Sequence, residues 1–365
     1  MRPVNGRPED TRYAVVVPTV GRPSLYRCLE ALADSLARAG AGRRPERVVL
    51  VHDRPAPGGG VPDLPVPEAL RDVTLVVPGR ARGPAAARNT GAGVAAEDAV
   101  PWLVFLDDDV VPSAHWAEDL AHDLAGASPT TAAVAARIEV PLPEGRSPTD
   151  GERNTAALAT ARWITADMAV RWEAFQAAGG FDERFRRAFR EDADLALRLT
   201  AGGWTIDDGR RRTAHPPRDA DRWISLRQQA GNGDDVLMRR LHGPDWRERA
   251  AAPPGRLSRH RAVTAAGAAA LGCALAGRRR AAAVCGALWC AGTAEFALAR
   301  ILPGPRSRAE VADMILTSTA IPPAATWHWL RGLLAHRAER PRGPARPPAA
   351  GAAPASAAGR REAVS

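Results

Sequence analysis

Short apolar runs alternate with helical patterns between Tyr13 and about Ile206. Four runs have the length and composition of buried strands: Tyr13–Val17, Arg47–Val51, Val73–Val77 and Leu103–Leu106. Helices are predicted between them, over Ser24–Ala39 and Ala85–Ala95. This alternation predicts an α/β fold built on a parallel, layered sheet. Ligands of such sheets bind beyond the carboxyl ends of the strands, so polar residues there are candidate site residues.

The pattern changes after the predicted sheet. Residues Gly202–Asp235 are polar and lack a clear period, so we expect an irregular region there. Beyond Pro253-Pro254-Gly255 come two alanine-rich apolar runs, Ala262–Gly277 and Ala281–Ala294, which Arg278, Arg279 and Arg280 separate. Both runs predict helices.

A last helix is predicted to begin at Ser307, because Ser307 and Glu310 have the spacing of a capping box. We expect it to end before Pro322-Pro323. The chain then divides into a flexible N-terminus (1–12), a sheet domain (13–250), a helical region (256–335) and a tail (336–365). The tail is rich in proline, alanine, glycine and arginine, a composition that predicts disorder.

The apolar runs of the helical region are 16 and 14 residues long. A membrane-spanning helix needs roughly 20 apolar residues, and shorter runs are more often core or interfacial helices. Basic clusters flank both runs, and Trp289, Trp327 and Trp329 are suited to a membrane interface. We therefore favour helices that lie on, or dip into, the inner leaflet of the cell membrane. Soluble helices that cover the sheet domain are the alternative.

The chain has 365 residues and a formal charge of +9, which raises nucleic acid and anionic lipid as partners. It contains no lysine, however, so all 50 basic residues are arginine. With the heavy use of alanine, glycine and proline, this is typical of a GC-rich genome and of arginine on ordinary surface. The arginines are not interleaved with aromatic residues as in nucleic-acid-binding signatures, so we expect no nucleic acid partner.

The four cysteines, Cys28, Cys273, Cys285 and Cys290, form no C-x-x-C pair. This fits reduced thiols in a cytosolic protein. The segment Met1–Arg12 is polar and lacks the apolar core of a signal peptide. We therefore expect the sheet domain to lie in the cytoplasm.

An acidic triplet, Asp107-Asp108-Asp109, follows the fourth predicted strand. Three adjacent carboxylates repel one another and are costly at a buried strand end without a cation. Alternation along an extended chain puts Asp107 and Asp109 on one side, where both reach a single Mg²⁺ or Mn²⁺. A solvated acidic turn without a ligand is the other interpretation of this segment taken alone.

Four motifs follow one another along the chain: Val15-Val16-Val17-Pro18-Thr19, Arg88-Asn89 after Gly83-Pro84, Leu106-Asp107-Asp108-Asp109, and Gly179-Gly180-Phe181-Asp182-Glu183 followed by Glu191-Asp192. Together they resemble the family 2 glycosyltransferases of GT-A fold, which have a Rossmann-like, mostly parallel sheet flanked by helices. The resemblance covers about Tyr13 to Leu199 in the order of the family. Each motif is weak, but the ordered set is specific.

The resemblance implies a nucleotide-sugar donor bound at the carboxyl ends of the strands. Asp107 and Asp109 would bind a divalent metal, Mn²⁺ or Mg²⁺, that bridges the donor diphosphate. We favour Asp109 as the direct ligand and Asp107 as a contact to ribose or metal-bound water, although the sequence does not separate these roles. Further donor contacts are predicted at Pro18, Thr19, Asp53, Arg88, Asn89 and Asp108.

Two of these positions have alternative explanations. Asp53 stands where the family usually has two aspartates, and here the first is His52, so the preference for the donor base is open. Arg88-Asn89 would be an ordinary helix-surface pair if it did not follow the Gly83-Pro84 turn. Arginine at that place is suited to phosphate recognition.

Glu191-Asp192 opens a predicted helix, Glu191–Thr200. An acidic pair there complements the helix dipole without any catalytic role. In the family the equivalent aspartate is the general base that deprotonates the acceptor hydroxyl. We therefore predict Asp192 as the base, with Glu191 as the second candidate, and inversion at the anomeric carbon.

His215 lies in the polar region after the sheet, where several GT-A enzymes have a further metal ligand. A surface histidine is the other interpretation. The leading hypothesis is thus an inverting, metal-dependent transferase that glycosylates a hydroxyl of a glycan, lipid or metabolite. Such an acceptor could be membrane-linked, as in cell envelope polysaccharide synthesis. The alternatives are a non-catalytic nucleotide-sugar-binding or membrane scaffold protein and, less favoured, a metal-dependent phosphohydrolase.

Overall fold

The computed structural model describes residues 11–54, 60, 62–219, 221–341 and 343–347. The predicted flexible N-terminus falls outside this range up to residue 10. The predicted disordered tail falls outside it at residue 342 and from residue 348 onward.

Eight strands form one mixed sheet. The strands are β1 (Tyr13–Thr19), β2 (Arg47–His52), β3 (Thr74–Pro78), β4 (Trp102–Leu106), β5 (Val111–Pro112), β6 (Thr131–Glu139), β7 (Asp167–Arg171) and β8 (Thr205–Ala214). Their order is β3-β2-β1-β4-β7-β6-β8-β5. The half formed by β3, β2, β1 and β4 is parallel, whereas β7 is antiparallel to both β4 and β6.

Helices cover both faces of the sheet and continue beyond it. They are α1 (Ser24–Ala39), α2 (Pro84–Ala95), α3 (Trp116–Gly126), α4 (Asp150–Ala156), α5 (Trp172–Ala177), α6 (Glu191–Ala201), α7 (Ile224–Gln228), α8 (Gly231–His242), α9 (Trp246–Arg249), α10 (Leu257–Leu275), α11 (Arg279–Ile301) and α12 (Arg308–Ala335).

Alternate residues of the central strands enter two separate cores. Val15 and Val17 of β1 pack with α1 and α3 on one face, whereas Ala14 and Val16 pack with α2 and α6 on the other. Residues 102–106 of β4 are fully buried, as expected of a strand covered on both faces. The predicted α/β fold class, with helices on both faces and a helical C-terminal region, is confirmed.

One prediction about the sheet was wrong. The region Gly202–Asp235 is not irregular throughout, because β8 pairs with β6 and β5 and is followed by α7 and the start of α8. The buried residues of β8 include Arg211, which contacts the carboxylates of Asp123 and Asp167. The inward face of β8 is therefore polar, and it lacks the apolar alternation by which strands are recognised in a sequence.

A second prediction failed in the helical region. Helix α12 does not end before Pro322-Pro323 but continues through both residues to Ala335. Ile321, Pro322 and Ala325 are buried in this helix, which packs against α8 and α10. Packing thus outweighs the local cost of proline inside the helix. The predicted cap at its start is present, since Ser307 Oγ accepts the Glu310 N–H at 3.2 Å.

The first part of the predicted tail contacts the sheet domain. Ala345 is buried and donates its N–H to Arg198 O at 3.0 Å, and Trp204 Nε1 donates to Arg346 O at 2.7 Å. Residues 343–347 therefore depart from the predicted disorder, because they complete backbone and indole hydrogen bonds of the α6–β8 turn.

The helical region exposes several large apolar side chains, among them Leu275, Trp327 and Leu334. Helix α11 is, among the helices described, the one that is long and apolar enough to cross a membrane by length and composition. Its most apolar window has a mean hydropathy of 1.5, and 11% of that window is buried within the protein. Taken alone, one such helix is weak evidence of a membrane span.

Candidate active site

The carboxyl ends of β1, β2 and β4 form a groove of about 200 Å³. The predicted site residues in its wall are Pro18, Thr19, Asp53, Arg88, Asp107 and Asp108. They come together because parallel strands end at the same edge of a sheet. A second, larger cleft of about 400 Å³ shares Arg88, Asp107 and Arg218 with the groove.

The acidic triplet divides into two faces, as alternation along the chain predicts. Asp108 is buried and accepts hydrogen bonds from Thr19 Oγ1 at 2.7 Å and from Arg22 Nη1 at 2.8 Å. These contacts tie the triplet to the loop after β1. Thr19 and Asp108 are predicted donor contacts, and in the structure their side chains are hydrogen-bonded to each other.

Asp107 and Asp109 lie on the other face, where they meet His215. One ligand atom from each of the three residues lies within 4.8 Å of the others, and His215 Nε2 is 3.8 Å from Asp109 Oδ1. Both Asp109 Oδ1 and His215 Nδ1 are buried without a hydrogen-bond partner among the described residues. Burial and the charge of Asp107 raise the pKa of Asp109.

This arrangement fits a divalent cation. Two carboxylates and an imidazole supply oxygen and nitrogen ligands of the kind that Mn²⁺ accepts. A cation would also satisfy the unpartnered Asp109 oxygen and remove the repulsion between the two aspartates. The three residues predicted as metal ligands are therefore brought together by the fold.

Arg218 already contacts Asp109, an interaction that the sequence did not predict. Its guanidinium forms an ion pair with Asp109 Oδ2, and its side chain is about half exposed. The residue lines both the groove and the cleft. The sequence feature that could have identified Arg218 is its position three residues after His215, because both residues belong to the loop that leaves β8.

Arg88 connects the acidic triplet to the predicted catalytic pair. Its side chain is 2% exposed, and it donates to Asp107 Oδ1 at 2.6 Å and to Glu191 Oε1 at 2.9 Å. Removing either carboxylate would leave part of a buried charge uncompensated. Arg88 lines the groove and pairs with two carboxylates there, and phosphate binding by Arg88 stays a prediction.

Asn89 has a structural place in this arrangement. Its side-chain amide donates to Phe181 O at 2.9 Å and accepts from Phe181 N–H at 2.8 Å. Gly180, with φ of +70°, lies so close that a Cβ there would be 2.7 Å from Asn89 Oδ1. This side chain holds the Gly-Gly-Phe-Asp turn, because its amide matches both backbone groups of Phe181. The donor contact at Asn89 stays a prediction.

Asp53 remains suited to a donor contact. Its Oδ2 accepts the Gly83 N–H at 2.7 Å, whereas Oδ1 is buried without a partner among the described residues. Gly83 has φ of +94°, and a Cβ there would be 2.1 Å from Arg186 O, so glycine is required. This turn places the carboxylate at the groove wall and begins α2.

The acidic pair at the start of α6 opens into the larger cleft. Glu191 is buried and paired with Arg88, and burial together with the charge of Asp192 raises the pKa of Glu191 to about 7. Asp192 is half-buried and accepts the Ala193 N–H at 2.7 Å, while burial raises its pKa as well. Of the two carboxylates, Asp192 has the greater access to the cleft.

Comparison with known proteins agrees with this geometry. Residues 14–166 match the family model described as glycosyl transferase family 2, a span that contains the groove-forming strands and the acidic triplet. Over these residues the chain is similar to family 2 glycosyltransferases. The resemblance predicted from the motifs is thereby confirmed for this part of the chain.

Two curated relatives are also similar to part of this chain. Both are described as pre-mycofactocin glycosyltransferase, from the Mycobacterium tuberculosis strains CDC 1551 / Oshkosh and ATCC 25618 / H37Rv. Each is 35% identical over 146 residues, which is 36% of this chain. The match spans 29% of the length of these relatives, well under two thirds.

A solved structure of GalNAc-T7 with UDP, GalNAc and Mn²⁺ is also similar. It aligns with 66% of this chain and 54% of its own, at 14% identity and a TM-score of 0.41. At that score the similarity supports no conclusion about ligands or mechanism. The likeness to family 2 glycosyltransferases rests on the family match over residues 14–166.

Proposed function

We propose that this protein is a metal-dependent, inverting glycosyltransferase that moves a sugar from a nucleotide donor to an acceptor hydroxyl. The observation that carries the proposal is a single cleft lined by Asp107 and His215 of the cation cluster and by Asp192. A transferase needs both functions in one space, because the leaving group and the acceptor stand on opposite sides of the anomeric carbon. The catalytic domain in this proposal is the sheet domain, residues 13–250.

The donor side of the site is the groove at Pro18, Asp53 and Asp107. Asp107, Asp109 and His215 would hold Mn²⁺ or Mg²⁺, which when bound stabilises negative charge on the leaving diphosphate. Arg218, paired with Asp109 at this place, is suited to hold diphosphate oxygens with its guanidinium. The unpartnered Oδ1 of Asp53 is an acceptor for a ribose or base hydrogen.

On the acceptor side, Asp192 acts as the general base. The acceptor oxygen forms its bond to the anomeric carbon while the bond from that carbon to the donor phosphate oxygen breaks. The hydroxyl proton passes to the Asp192 carboxylate, and the electron pair of the broken bond leaves with the nucleoside diphosphate. One displacement with a single base inverts the configuration. Glu191, held by Arg88, keeps the start of α6 in place.

The helical region supports a location at the inner face of the cell membrane. Leu271 and Leu275 near the end of α10 are exposed and lie beside Arg278–Arg280 at the turn into α11. Exposed leucines next to arginines suit an anionic membrane surface, with the apolar chains in the lipid and the charges among the headgroups. Three arginines at the tip make full insertion costly, so α10 and α11 would lie along the surface.

Incubation of the purified protein with Mn²⁺ or Mg²⁺ and a panel of nucleotide-sugars tests the proposal. One donor should release its nucleoside diphosphate slowly, and the release should stop with EDTA and resume with added metal. Asp109→Asn should weaken Mn²⁺ binding, measured by calorimetry, as well as donor release. Metal-independent binding of a donor without any release would favour a nucleotide-sugar-binding scaffold instead.

A further inference from the structure

A third space, a cavity of about 360 Å³, lies beside the cleft that contains Asp192, between the sheet domain and the helical region. Gln228 lines both this cavity and the cleft. Arg190 lines the cavity, and the next two residues, Glu191 and Asp192, line the cleft. A molecule in this cavity would therefore lie next to the proposed catalytic base.

The cavity has an excess of positive charge. Arg190 and Arg247 share one carboxylate, that of Asp235, with Arg190 Nε at 2.9 Å from Oδ1. A third arginine, Arg256, pairs with Glu295 at the surface, and its buried Nε has no hydrogen-bond partner among the described residues. Three guanidinium groups thus face two carboxylates, which leaves one net positive charge for a ligand. We call these three arginines the basic pocket.

Arg300 and Asp150 also line the cavity but add no net charge. The two side chains pair at 2.7 Å, and Arg300 Nη1 donates to the hydroxyls of Thr317 and Ser318. Within the described residues, by contrast, the hydrogen bonds of the Arg190 side chain reach Asp235 through Nε alone. The terminal nitrogens of Arg190 are therefore available to a ligand.

The backbone holds Arg190 in an unusual conformation. Its φ is +79°, in the left-handed region, although it is not glycine. Its guanidinium carbon lies 4.3 Å from the Phe189 ring centroid and 4.9 Å from that of Trp246, over which Arg247 also packs at 4.6 Å. Aromatic packing thus orients both cations of the pocket before any ligand arrives.

An apolar groove continues from the basic pocket. This groove, of about 480 Å³, lies between α10, α11 and α12 and shares Arg256, His260 and Phe296 with the cavity. Its far part is lined by the side chains of Val263 and Leu288. Burial and the charge of Arg256 lower the pKa of His260 to about 4, so His260 is neutral at neutral pH.

We propose that the acceptor is an anionic amphiphile, whose oxyanion binds the basic pocket and whose hydrocarbon chain lies in the apolar groove. Its hydroxyl would then reach Asp192 from the side of Gln228. Guanidinium groups bind phosphate and carboxylate oxygens in pairs, which suits Arg190 and Arg247, both packed on the Trp246 ring. The role of this molecule as the acceptor rests on the proposed function. Its binding to the pocket does not, because binding needs no donor.

Calorimetric titration of the full chain without donor tests the inference. The probes are octyl phosphate below its micelle concentration, inorganic phosphate, and octyl glucoside as the neutral amphiphile. Octyl phosphate should bind about tenfold more tightly than either of the others, since it alone satisfies both the charge and the apolar groove. Equal affinity for inorganic phosphate would show that the hydrocarbon chain does not contribute to binding. Equal affinity for octyl glucoside would show that the negative charge does not contribute. Either result would overturn the proposal.

Matched variants locate the binding. Arg247→Gln should weaken octyl phosphate about tenfold, whereas Arg249→Gln, an exposed arginine on the same short helix, should leave it unchanged. Leu288→Asn should weaken octyl phosphate and not inorganic phosphate, and Leu298→Asn on the same helix should weaken neither. Arg256→Gln provides a second test of the basic pocket. Wild-type affinity for octyl phosphate in both Arg247→Gln and Arg256→Gln would overturn the assignment.

The outcome is separable from that of the proposed function. Donor release with metal and no octyl phosphate binding would overturn the acceptor class and leave glycosyl transfer standing. Octyl phosphate binding that follows the predicted variant pattern, in a protein that releases no nucleoside diphosphate from any donor, would overturn the transferase and keep the pocket.

Discussion

The sheet domain and the helical region place their charged and apolar groups in opposite ways. The sheet domain buries Arg88, Arg198 and Arg211 almost completely, each against carboxylates. The helical region leaves Leu275 and Leu334 exposed, at 81% and 71% of their surface. The difference suggests a division of work, in which one region fixes reactive charges and the other offers an apolar surface.

The two regions meet through the packing of α12 against α8 and through ion pairs. Arg300 of α11 reaches Asp150 of α4, whose carboxylate also accepts from Ser225 Oγ at 2.7 Å. The contacts surround the cavity that contains the basic pocket. The charged interior of one region therefore joins the apolar surface of the other next to the active cleft.

The largest expected effect is on the rate of transfer, from the substitution of Asp192. Asp192→Asn removes the proposed base and should lower transfer by about 10²–10⁴-fold while leaving donor affinity unchanged. Because burial raises the pKa of Asp192, wild-type transfer should begin to fall on acidification at a higher pH than an exposed aspartate would give. Steady-state rates against pH and donor binding by calorimetry measure both effects.

Glu191→Gln is the control for this assignment. It keeps a hydrogen-bond acceptor for Arg88 and should cost less activity than Asp192→Asn. If the loss were greater for Glu191→Gln, with Asp192→Asn still active, the base would be Glu191 and the assignment would be reversed.

A second prediction tests how much the sheet domain depends on compensated charge. Arg88→Met leaves Asp107 and Glu191 without their shared cation and should lower the free energy of unfolding by about 3–5 kcal/mol. Arg47→Met removes a more exposed ion pair with Asp98 and should cost at most about 1 kcal/mol. Urea unfolding followed by circular dichroism compares the two. Similar losses would show that burial of the pair does not matter here.

These contrasts explain which features were predictable from the sequence. The strands β1, β2 and β4 carry continuous apolar runs, and the acidic triplet stands at the end of one, so their places followed from simple patterns. Helix α1 was predicted with its observed bounds, because its apolar residues recur with a helical period.

The failures come from contacts between distant segments. Strand β8 was missed because Arg211 on its inner face is paired with Asp123, 88 residues earlier in the chain. The end of α12 was misplaced because packing keeps Pro322 in the helix. The contact of Arg218 with Asp109 and the joint position of Arg190 and Arg247 likewise depend on long-range folding, which local patterns do not encode.

The third prediction concerns the apolar surface of the helical region. A Leu271→Gln/Leu275→Gln double variant should reduce binding to anionic vesicles by at least about tenfold, because each leucine contributes apolar area at the tip. Its unfolding free energy in solution should change by less than about 0.5 kcal/mol, since both side chains are exposed. Vesicle sedimentation and urea unfolding give the two values.

Leu75→Gln is the matched control, an exposed leucine of the sheet domain that should not alter vesicle binding. Equal vesicle binding by the double variant and the wild type would exclude the tip of α10 as the contact. Absence of wild-type binding to vesicles would leave the helical region as a cover for the sheet domain.

The smallest expected effects are at two helix caps, one in each region. Thr149 caps α4 through a complete capping box with Glu152, whereas Ser307 caps α12 through one hydrogen bond to Glu310 N–H. Thr149→Ala and Ser307→Ala should each cost about 1 kcal/mol, because each removes the hydroxyl that accepts a helix N–H, while the bond from the Thr149 N–H to Glu152 is kept. Thermal unfolding followed by calorimetry measures both. If the two regions unfold independently, Ser307→Ala should shift only the transition of the helical region, whereas a single transition shifted by either variant would show that the Arg300–Asp150 junction couples them into one cooperative unit.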